Sequence, residues 1–264
     1  AAHYDRIAAV NPRVNAVVEL LTDQAFAAAD AADARRAAGE PLGAFHGVPF
    51  TVKTNIDYAG SATHEGALAL KDLIAPSDAP VVERMKAAGG IPIGRTNMPD
   101  FGLRINTESS LCGPAHNPWD HSRTVGGSSG GEGAAIATGM SPIGLGNDIG
   151  GSVRNPAFAN GIASIKPGFG RIPAGNESSS INSPISSQLM LAQGVLARHV
   201  SDVRRGLETV MGAHPRDPFA VDAPLAGPTV PKRVALVTHP DGGATHPQIA
   251  EGVQRAGVAL ERAG

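Results

Sequence analysis

Residues 126–154 read GGSSGGEGAAIATGMSPIGLGNDIGGSVR, two glycine–serine segments with a helix candidate and a strand candidate between them. Small apolar residues at 134–137 predict the helix. Residues 143–146 predict a strand that enters the second glycine turn. Glycine tolerates positive φ and lets a backbone approach a ligand closely, so crowded glycines here indicate a specialised backbone region rather than disorder.

The second segment carries a serine, Ser152, behind a turn of backbone amides. Successive N–H groups of residues 149–152 could converge on one point, which is the geometry that an oxyanion hole requires. Asp148 and Arg154 are expected to pair beneath the turn and hold it. A plain tight turn with a structural ion pair would explain the same residues, so both interpretations stay open at this point.

The first segment, GGSSGGEG at 126–133, allows several interpretations. The flanking Thr-Val at 124–125 and Ala-Ala-Ile-Ala at 134–137 argue against a flexible linker. A phosphate loop would need a Gly-Lys-Ser/Thr ending, which is missing here. The letters GGSSG also fit the G-x-S-x-G nucleophile elbow, but that elbow should follow a buried strand. Residues 116–123 are polar and loop-like, so the elbow interpretation fails on context.

Lys53 ends the apolar, β-branched strand candidate at residues 48–53. Burial of an ammonium group is costly, lowers its pKa and favours the neutral amine. A neutral amine is a general base, which is one catalytic use of lysine. The alternative is that Lys53 sits at the strand end and reaches water.

The rest of the chain alternates between helix and strand patterns, which predicts an α/β fold with a mixed or mostly parallel sheet. The polar segment 174–187 is predicted to be a mobile loop. Helices are predicted at 13–38, 80–88, 97–101, 200–211 and 247–263, and further strands at 91–94 and 232–237.

Composition excludes several classes of protein. The net charge of −2 provides no basic field for nucleic acid or an anionic membrane, and no apolar run is long enough to cross a bilayer. Cys112 is the single cysteine, so a reducing, cytoplasmic compartment is the default. The nine histidines lack metal-ligand spacing, and no metal or cofactor is expected.

Taken together, these segments resemble the amidase signature family. The resemblance implies a central mixed β-sheet flanked by helices, with residues 1–264 forming a single domain. Because the family's domain is considerably longer, its C-terminal part is expected to be missing from this chain. The matching segments are 47–53, 94–98, 117–120, 126–133, 146–154 and 166–171.

The resemblance also implies roles for individual residues. It makes Lys53 the base, Ser128 a bridging serine held by a cis peptide, and Ser152 the nucleophile. Asn147 stands where the family commonly has Thr, and little effect is expected from that change. The implied oxyanion hole consists of the backbone amides of Ile149, Gly150, Gly151 and Ser152, and the implied supporting residues are Ser129, Asp148 and Arg154.

The function implied is hydrolysis of carboxylic amides through a Ser-Ser-Lys triad and an acyl-enzyme, with anilides, esters and carbamates as further candidate substrates. The expected partner is a small-molecule amide or carbamate, with no nucleic acid and no membrane, and a homodimer is left open. One alternative is the glutaminase-type subunit of a tRNA-dependent amidotransferase, because only pocket details separate the two roles. The other is an inactive scaffold.

Overall fold

The computed structural model describes residues 1–178, 184–227, 233–240 and 243–264. The chain divides into two compact units, Ala1–Ala223 and Pro224–Gly264. The expectation of a single domain over residues 1–264 stays a prediction.

The first unit contains the helices and strands that position the candidate site. Its helices are α1 (Ala2–Val14), α2 (Thr22–Ala37), α3 (Pro80–Ala87), α4 (Gly130–Ala137), α5 (Arg154–Asn160), α6 (Ile185–Met190) and α7 (Val200–Val210). Its strands are β1 (Val17–Leu20), β2 (Pro49–Lys53), β3 (Ile91–Thr96), β4 (Glu108–Ser109), β5 (Gly113–Pro114), β6 (Ile143–Asp148), β7 (Ala163–Ile165) and β8 (Ala192–Ala197). Short 3-10 turns lie at Leu68–Leu70 and Asp100–Gly102. In the second unit, α8 spans Pro247–Arg262.

Strands of the first unit form a six-stranded sheet in the order β1-β3-β2-β6-β8-β7. β2 runs parallel to both β3 and β6, whereas β1, β8 and β7 pair antiparallel with their neighbours. Helix α4 packs across five of these strands, and α7 packs against β6, β7 and β8. The predicted mixed sheet flanked by helices is therefore confirmed. The parallel strands β2 and β6 lie side by side at its centre and end at Lys53 and Asp148.

A buried carboxyl group explains one glycine in the centre of the sheet. A Cβ placed on Gly144 of β6 would lie 1.9 Å from Glu132 Oε2 and 3.1 Å from Thr51 Oγ1. Glu132 lies in the first turn of α4 and is fully buried. Only glycine therefore lets α4 pack this closely on β6.

The helix predicted at residues 13–38 is wrong, because a strand interrupts it. Asn15 takes the left-handed conformation at φ 49° and ends α1. The Asn11 side chain accepts the N–H groups of Ala16 and Val17 and turns the chain. Val17 then pairs with Thr96 on β3, since β-branched residues pack well on a pleated surface.

Two further predictions fail. The helix predicted at 97–101 is only the 3-10 turn Asp100–Gly102. Of the strand predicted at 232–237, Lys232 lies outside the described residues, and residues 233–237 are exposed and form no strand. A strand exists only where a neighbouring strand completes its hydrogen bonds, and none of the described residues pairs with this segment.

Across residues 1–178, 184–227, 233–240 and 243–264, every helix is too short or too polar to cross a bilayer.

Candidate active site

Lys53, the last residue of β2, is fully buried. Its Nζ lies 2.7 Å from Ser128 Oγ and 2.9 Å from Asn147 Oδ1. The Arg95 guanidinium holds the backbone at this point by donating to the carbonyl oxygen of Ile56 at 2.8 Å. The strand-end lysine thus points inward to a serine rather than outward to water.

Burial sets the protonation state of Lys53. Desolvation lowers the pKa of its amine from 10.5 to about 7, although the acidic groups Asp148, Glu132 and Glu65 act in the opposite direction. A lysine with this pKa is substantially neutral near pH 7 and carries a lone pair that accepts a proton.

Ser128 lies in the first glycine–serine segment and is almost fully buried. The Gly127–Ser128 peptide bond is cis, as the family resemblance implies. Gly126 has a φ of 81°, and its Cβ, if it had one, would lie 2.7 Å from Pro156 Cα. The Gly127 N–H donates to Asn155 Oδ1 at 3.0 Å, so the segment is fixed against the start of α5.

Ser152 lies in the second segment, directly against the first. Its carbonyl oxygen accepts the Ser129 N–H at 3.0 Å. The Ser152 side chain is partly exposed, and its hydroxyl makes no hydrogen bond within the described part of the chain. The Ser129 hydroxyl is buried and likewise has no hydrogen-bond partner among the described residues. The structure thus joins Lys53 to Ser128 through their side chains, and it joins Ser152 through its backbone to Ser129, the residue that follows Ser128.

Asp148 organises the turn that carries Ser152. Its buried carboxylate accepts bonds from Gly151 N at 2.7 Å and Val153 N at 3.0 Å, and it pairs with Arg154 through Nε and Nη2 at 3.1 and 2.9 Å. Burial would raise the pKa of Asp148, but these hydrogen bonds outweigh it and lower the pKa to about 2. The carboxylate is therefore ionised at every physiological pH, and the predicted pairing of Asp148 with Arg154 is present.

The predicted oxyanion hole is partly occupied by this carboxylate. Because the Gly151 N–H donates to Asp148, it is not free for a substrate oxygen in this structure. The N–H groups of Ile149, Gly150 and Ser152 have no acceptor among the described residues, and Ile149 and Gly150 are exposed. Three amides are thus open to a ligand, and their role stays a prediction.

Glu132 is a second buried ionisable group close to the lysine. Desolvation raises the pKa of its carboxyl to about 8, against the hydrogen bonds that it accepts from Thr51 at 2.6 Å and Thr96 at 2.8 Å. At pH 7 this carboxyl is mostly protonated. It ties α4 to β2 and β3, which makes its part in the site structural.

Sequence reasoning missed one pair of residues in the site. Asn147, from which little effect was expected, contacts Lys53 directly, and its Nδ2 donates to Asn55 Oδ1 at 3.0 Å. Asn55 Nδ2 donates back to Asn147 Oδ1 at 3.1 Å. The available signal was position: Asn55 follows β2 by two residues and Asn147 lies near the end of β6, and these parallel strands end at one edge of the sheet.

The start of the polar segment 174–187 is tied to the same edge. The Asp57 carboxylate accepts the N–H groups of Glu177 at 2.6 Å and Ser178 at 2.8 Å, and Asn176 Nδ2 donates to the Asn55 carbonyl at 2.8 Å. Residues 179–183 lie outside the described residues, and α6 begins at Ile185. The predicted mobility of this segment is not tested.

Within the described part of the chain, no group of three or more His, Cys, Asp or Glu side chains is arranged to hold a metal ion.

The fold and the site define a mixed-sheet protein in which a buried lysine contacts a serine beside a glycine–serine turn. The Amidase family model matches residues 1–264, and the chain belongs to that family. The relationship predicted from the motifs is therefore confirmed.

Curated relatives and a solved structure agree with this assignment. The chain is 53% identical over 265 residues to an indoleacetamide hydrolase of Bradyrhizobium diazoefficiens, covering 100% of this chain and 51% of that protein. It is 42% identical over 227 residues to the A subunit of the glutamyl-tRNA(Gln) amidotransferase of Salinispora arenicola, covering 85% and 44%. Its structure matches 6-aminohexanoate cyclic dimer hydrolase with a TM-score of 0.86 at 32% identity, covering 100% and 55%. The chain thus spans about half the length of the curated relatives it matches.

Proposed function

We propose that this chain carries the catalytic group of an amidase, with Lys53 as base, Ser128 as relay and Ser152 as nucleophile. The observation that carries the proposal is the 2.7 Å contact between Lys53 Nζ and Ser128 Oγ in a fully buried setting. A buried amine with a lowered pKa that contacts a hydroxyl is suited to moving protons rather than to holding an ion pair.

In the proposed reaction, the neutral amine of Lys53 takes the Ser128 proton, and Ser128 takes the proton of Ser152. Ser152 Oγ then bonds to the amide carbon, and the carbonyl oxygen gains negative charge that the N–H groups of Ile149, Gly150 and Ser152 stabilise.

Collapse of this intermediate breaks the C–N bond. The proton held by Lys53 returns through Ser128 to the leaving nitrogen, so the amine departs neutral and an acyl-Ser152 ester remains. Water then loses a proton to the same relay, attacks the ester carbon and releases the carboxylic acid. Each proton that enters the relay leaves it again within the cycle.

For the substrate we propose a primary amide with an apolar, aromatic acyl group. The likeness to an indoleacetamide hydrolase at 53% identity supports this class. So does the loop beside the relay: a Cβ on Gly102 would lie 3.2 Å from Ser128 Oγ, and the neighbouring Phe101 and Leu103 are exposed. Ile149, next to the open amides, is a further exposed apolar side chain.

The test has two parts, a fluorophosphonate probe that labels an activated serine and ammonia release from indoleacetamide. Wild type is expected to be labelled on Ser152 and to release ammonia, and Ser152→Ala to do neither. Ser201→Ala, which removes an exposed hydroxyl in α7, is the matched control and should behave as wild type. Equal labelling of wild type and Ser152→Ala would exclude the proposed nucleophile.

A second candidate is the glutaminase role, which the likeness to the amidotransferase relative at 42% identity favours. It requires glutamine turnover that rises when the other amidotransferase subunits are present. Indoleacetamide hydrolysis by the isolated chain, together with failure to hydrolyse glutamine when those subunits are present, would reject it. A chain that the fluorophosphonate does not label at all would instead support the inactive scaffold.

The proposal also includes a small-molecule substrate, a cytoplasmic location and assembly as a homodimer. The composition and the family resemblance support these three points.

A further inference from the structure

The Asn55 and Asn147 side chains form a reciprocal amide pair at the edge of the sheet where β2 and β6 end. Asn147 Nδ2 donates to Asn55 Oδ1 at 3.0 Å, and Asn55 Nδ2 donates to Asn147 Oδ1 at 3.1 Å. Asn147 is almost fully buried. The pair is anchored on its far side, because Asn176 Nδ2 donates to the Asn55 carbonyl oxygen at 2.8 Å.

The pairing and the contact with Lys53 together fix which end of the Asn147 amide faces the lysine. An amide group presents an acceptor at Oδ1 and two donors at Nδ2. With Nδ2 engaged by Asn55, Oδ1 is the atom that lies 2.9 Å from Lys53 Nζ. Turning the Asn147 amide alone over would set its N–H groups against Asn55 Nδ2 and its oxygen against Asn55 Oδ1, so the pair ties the two amide orientations together. The contact with Lys53 Nζ then selects the orientation that directs Oδ1 to the lysine.

That orientation has a consequence for the neutral amine. A neutral amine has two N–H donors and one lone pair. Since Asn147 Oδ1 can only accept, the contact with Asn147 uses one N–H, so the lone pair does not point to Asn147 and is available to Ser128, whose Oγ lies 2.7 Å from Nζ. We propose that Asn147, held by Asn55, is a positioning residue that turns the lone pair of Lys53 Nζ toward the Ser128 hydroxyl. This inference rests on the proposed function.

The charge of the acceptor matters as much as its position. Three acidic groups already face Lys53 from three parts of the structure: Asp148 at the end of β6, Glu132 in α4, and Glu65 in the loop after β2. Another carboxylate at hydrogen-bond distance would favour the ammonium form, which has no lone pair. A neutral amide supplies the acceptor without adding charge.

The test compares the pH dependence of fluorophosphonate labelling in wild type and Asn147→Asp, a change that keeps the acceptor and adds a charge. At pH 7 the labelling rate of Asn147→Asp is expected to fall at least about tenfold, and at pH 9 to recover to within about threefold of wild type. A merely structural defect would lower the rate by the same factor at both pH values.

Asn55→Asp is a second arm that does not replace the residue touching Lys53. The carboxylate that this variant introduces at position 55 still accepts the Asn147 N–H, and its charge lies further from Lys53 Nζ. The pH at which labelling recovers should therefore rise, but by less than in Asn147→Asp. Gln24→Glu, an exposed change in α2, adds an equal charge and should leave the profile unmoved.

Thermal unfolding of each variant shows whether it is folded. If Asn147→Asp does not fold, the Asn55→Asp variant decides the test. Profiles of the folded variants that coincide with wild type, or that fall equally at all pH values, would overturn the positioning role while leaving the proposed function intact. Absence of labelling in wild type itself would reject both.

Discussion

The Ser129 N–H donates a hydrogen bond of 3.0 Å to the Ser152 carbonyl oxygen. This bond joins the two glycine–serine segments at Ser152, the proposed nucleophile, and at the residue that follows Ser128, the proposed relay. Gly127 adds a second link through its N–H to Asn155 Oδ1 at 3.0 Å. One backbone contact and one contact to a side chain thus fix the separation of the two segments.

The pH dependence of the reaction follows from Lys53. Because the pKa of its amine is lowered to about 7, the rate of Ser152 labelling should fall below pH 7, where the ammonium form dominates, and level off above it. Labelling rates between pH 5 and 9 measure this. A rate that keeps rising toward pH 10, the ordinary range of lysine, would contradict the lowered pKa.

Lys53→Met should abolish labelling and stabilise the fold. Below a pH of about 10.5 the unfolded chain carries the Lys53 ammonium, which burial destabilises in the folded state, and this cost is largest at pH 7 and below. Removing the amine should therefore raise the free energy of unfolding by about 1–3 kcal/mol at pH 7. As the pH rises from 7 to 10.5, wild type recovers stability and the difference should shrink. Urea unfolding at both pH values measures it, and a less stable variant at pH 7 would contradict the expectation.

Asp148→Asn should weaken both the turn and the reaction. The amide keeps one acceptor but loses the charge that pairs with Arg154, so the free energy of unfolding is expected to fall by about 2–4 kcal/mol at pH 7. The pKa of Asp148 is lowered to about 2, so its contribution is present above pH 4 and disappears as the pH falls to 2. The urea midpoints of variant and wild type, measured near pH 2, should therefore converge. A difference between them that persists at pH 2 would contradict a stabilising contribution from the ionised Asp148 carboxylate.

Glu132→Gln should change the pH dependence of stability in the opposite sense. The folded state holds the Glu132 carboxyl protonated up to about pH 8, whereas the unfolded chain ionises it above 4.5, so wild type loses stability between these values. Glutamine has the same size and does not titrate. The free energy of unfolding of Glu132→Gln, relative to that of wild type, should rise by about 1–3 kcal/mol from pH 4.5 to pH 8. If this difference is constant over the range, the carboxyl of Glu132 is not held protonated in the folded state.

Gly144→Ala should destabilise the centre of the sheet. The added Cβ would lie 1.9 Å from Glu132 Oε2, so the carboxyl would have to move away from the hydroxyl groups of Thr51 and Thr96, and the expected cost is about 1–3 kcal/mol. Gly168→Ala is the matched control, since a Cβ there would meet no atom within 4 Å. Chemical unfolding of both variants gives the comparison, and equal losses would remove the packing argument.

The glycine–serine segments and the lysine could be identified from the sequence because their chemistry is local. Lys53 alone allowed two interpretations, an inward-facing base or a strand-end lysine that reaches water, and only the family resemblance favoured the first. Its burial confirms that Lys53 faces inward. The predicted pairing of Asp148 with Arg154 needed only their spacing across one turn. The catalytic roles of these residues stay predictions.

What the sequence did not reveal depends on partners far along the chain. β8 reads Ala-Gln-Gly-Val-Leu-Ala, a weak strand pattern that exists because β6 and β7 pair with it on both sides. Val17 and Glu19 lie between two helices, and their sequence pattern predicts a continuous helix. They form a strand because β3 pairs with them. Asn147 and Asn55 are 92 residues apart, so their pairing shows only in three dimensions.

The parallel pairing of β2 with β6 has a consequence for the time course of folding. Lys53 and Ser128 are 75 residues apart, and β2, which ends at Lys53, pairs with β6 with Thr51 opposite Gly144. Contacts this distant require closure of a long loop and tend to form slowly. We therefore expect a growing or partly unfolded chain to hold the proposed relay serine without its proposed base until these distant contacts have formed.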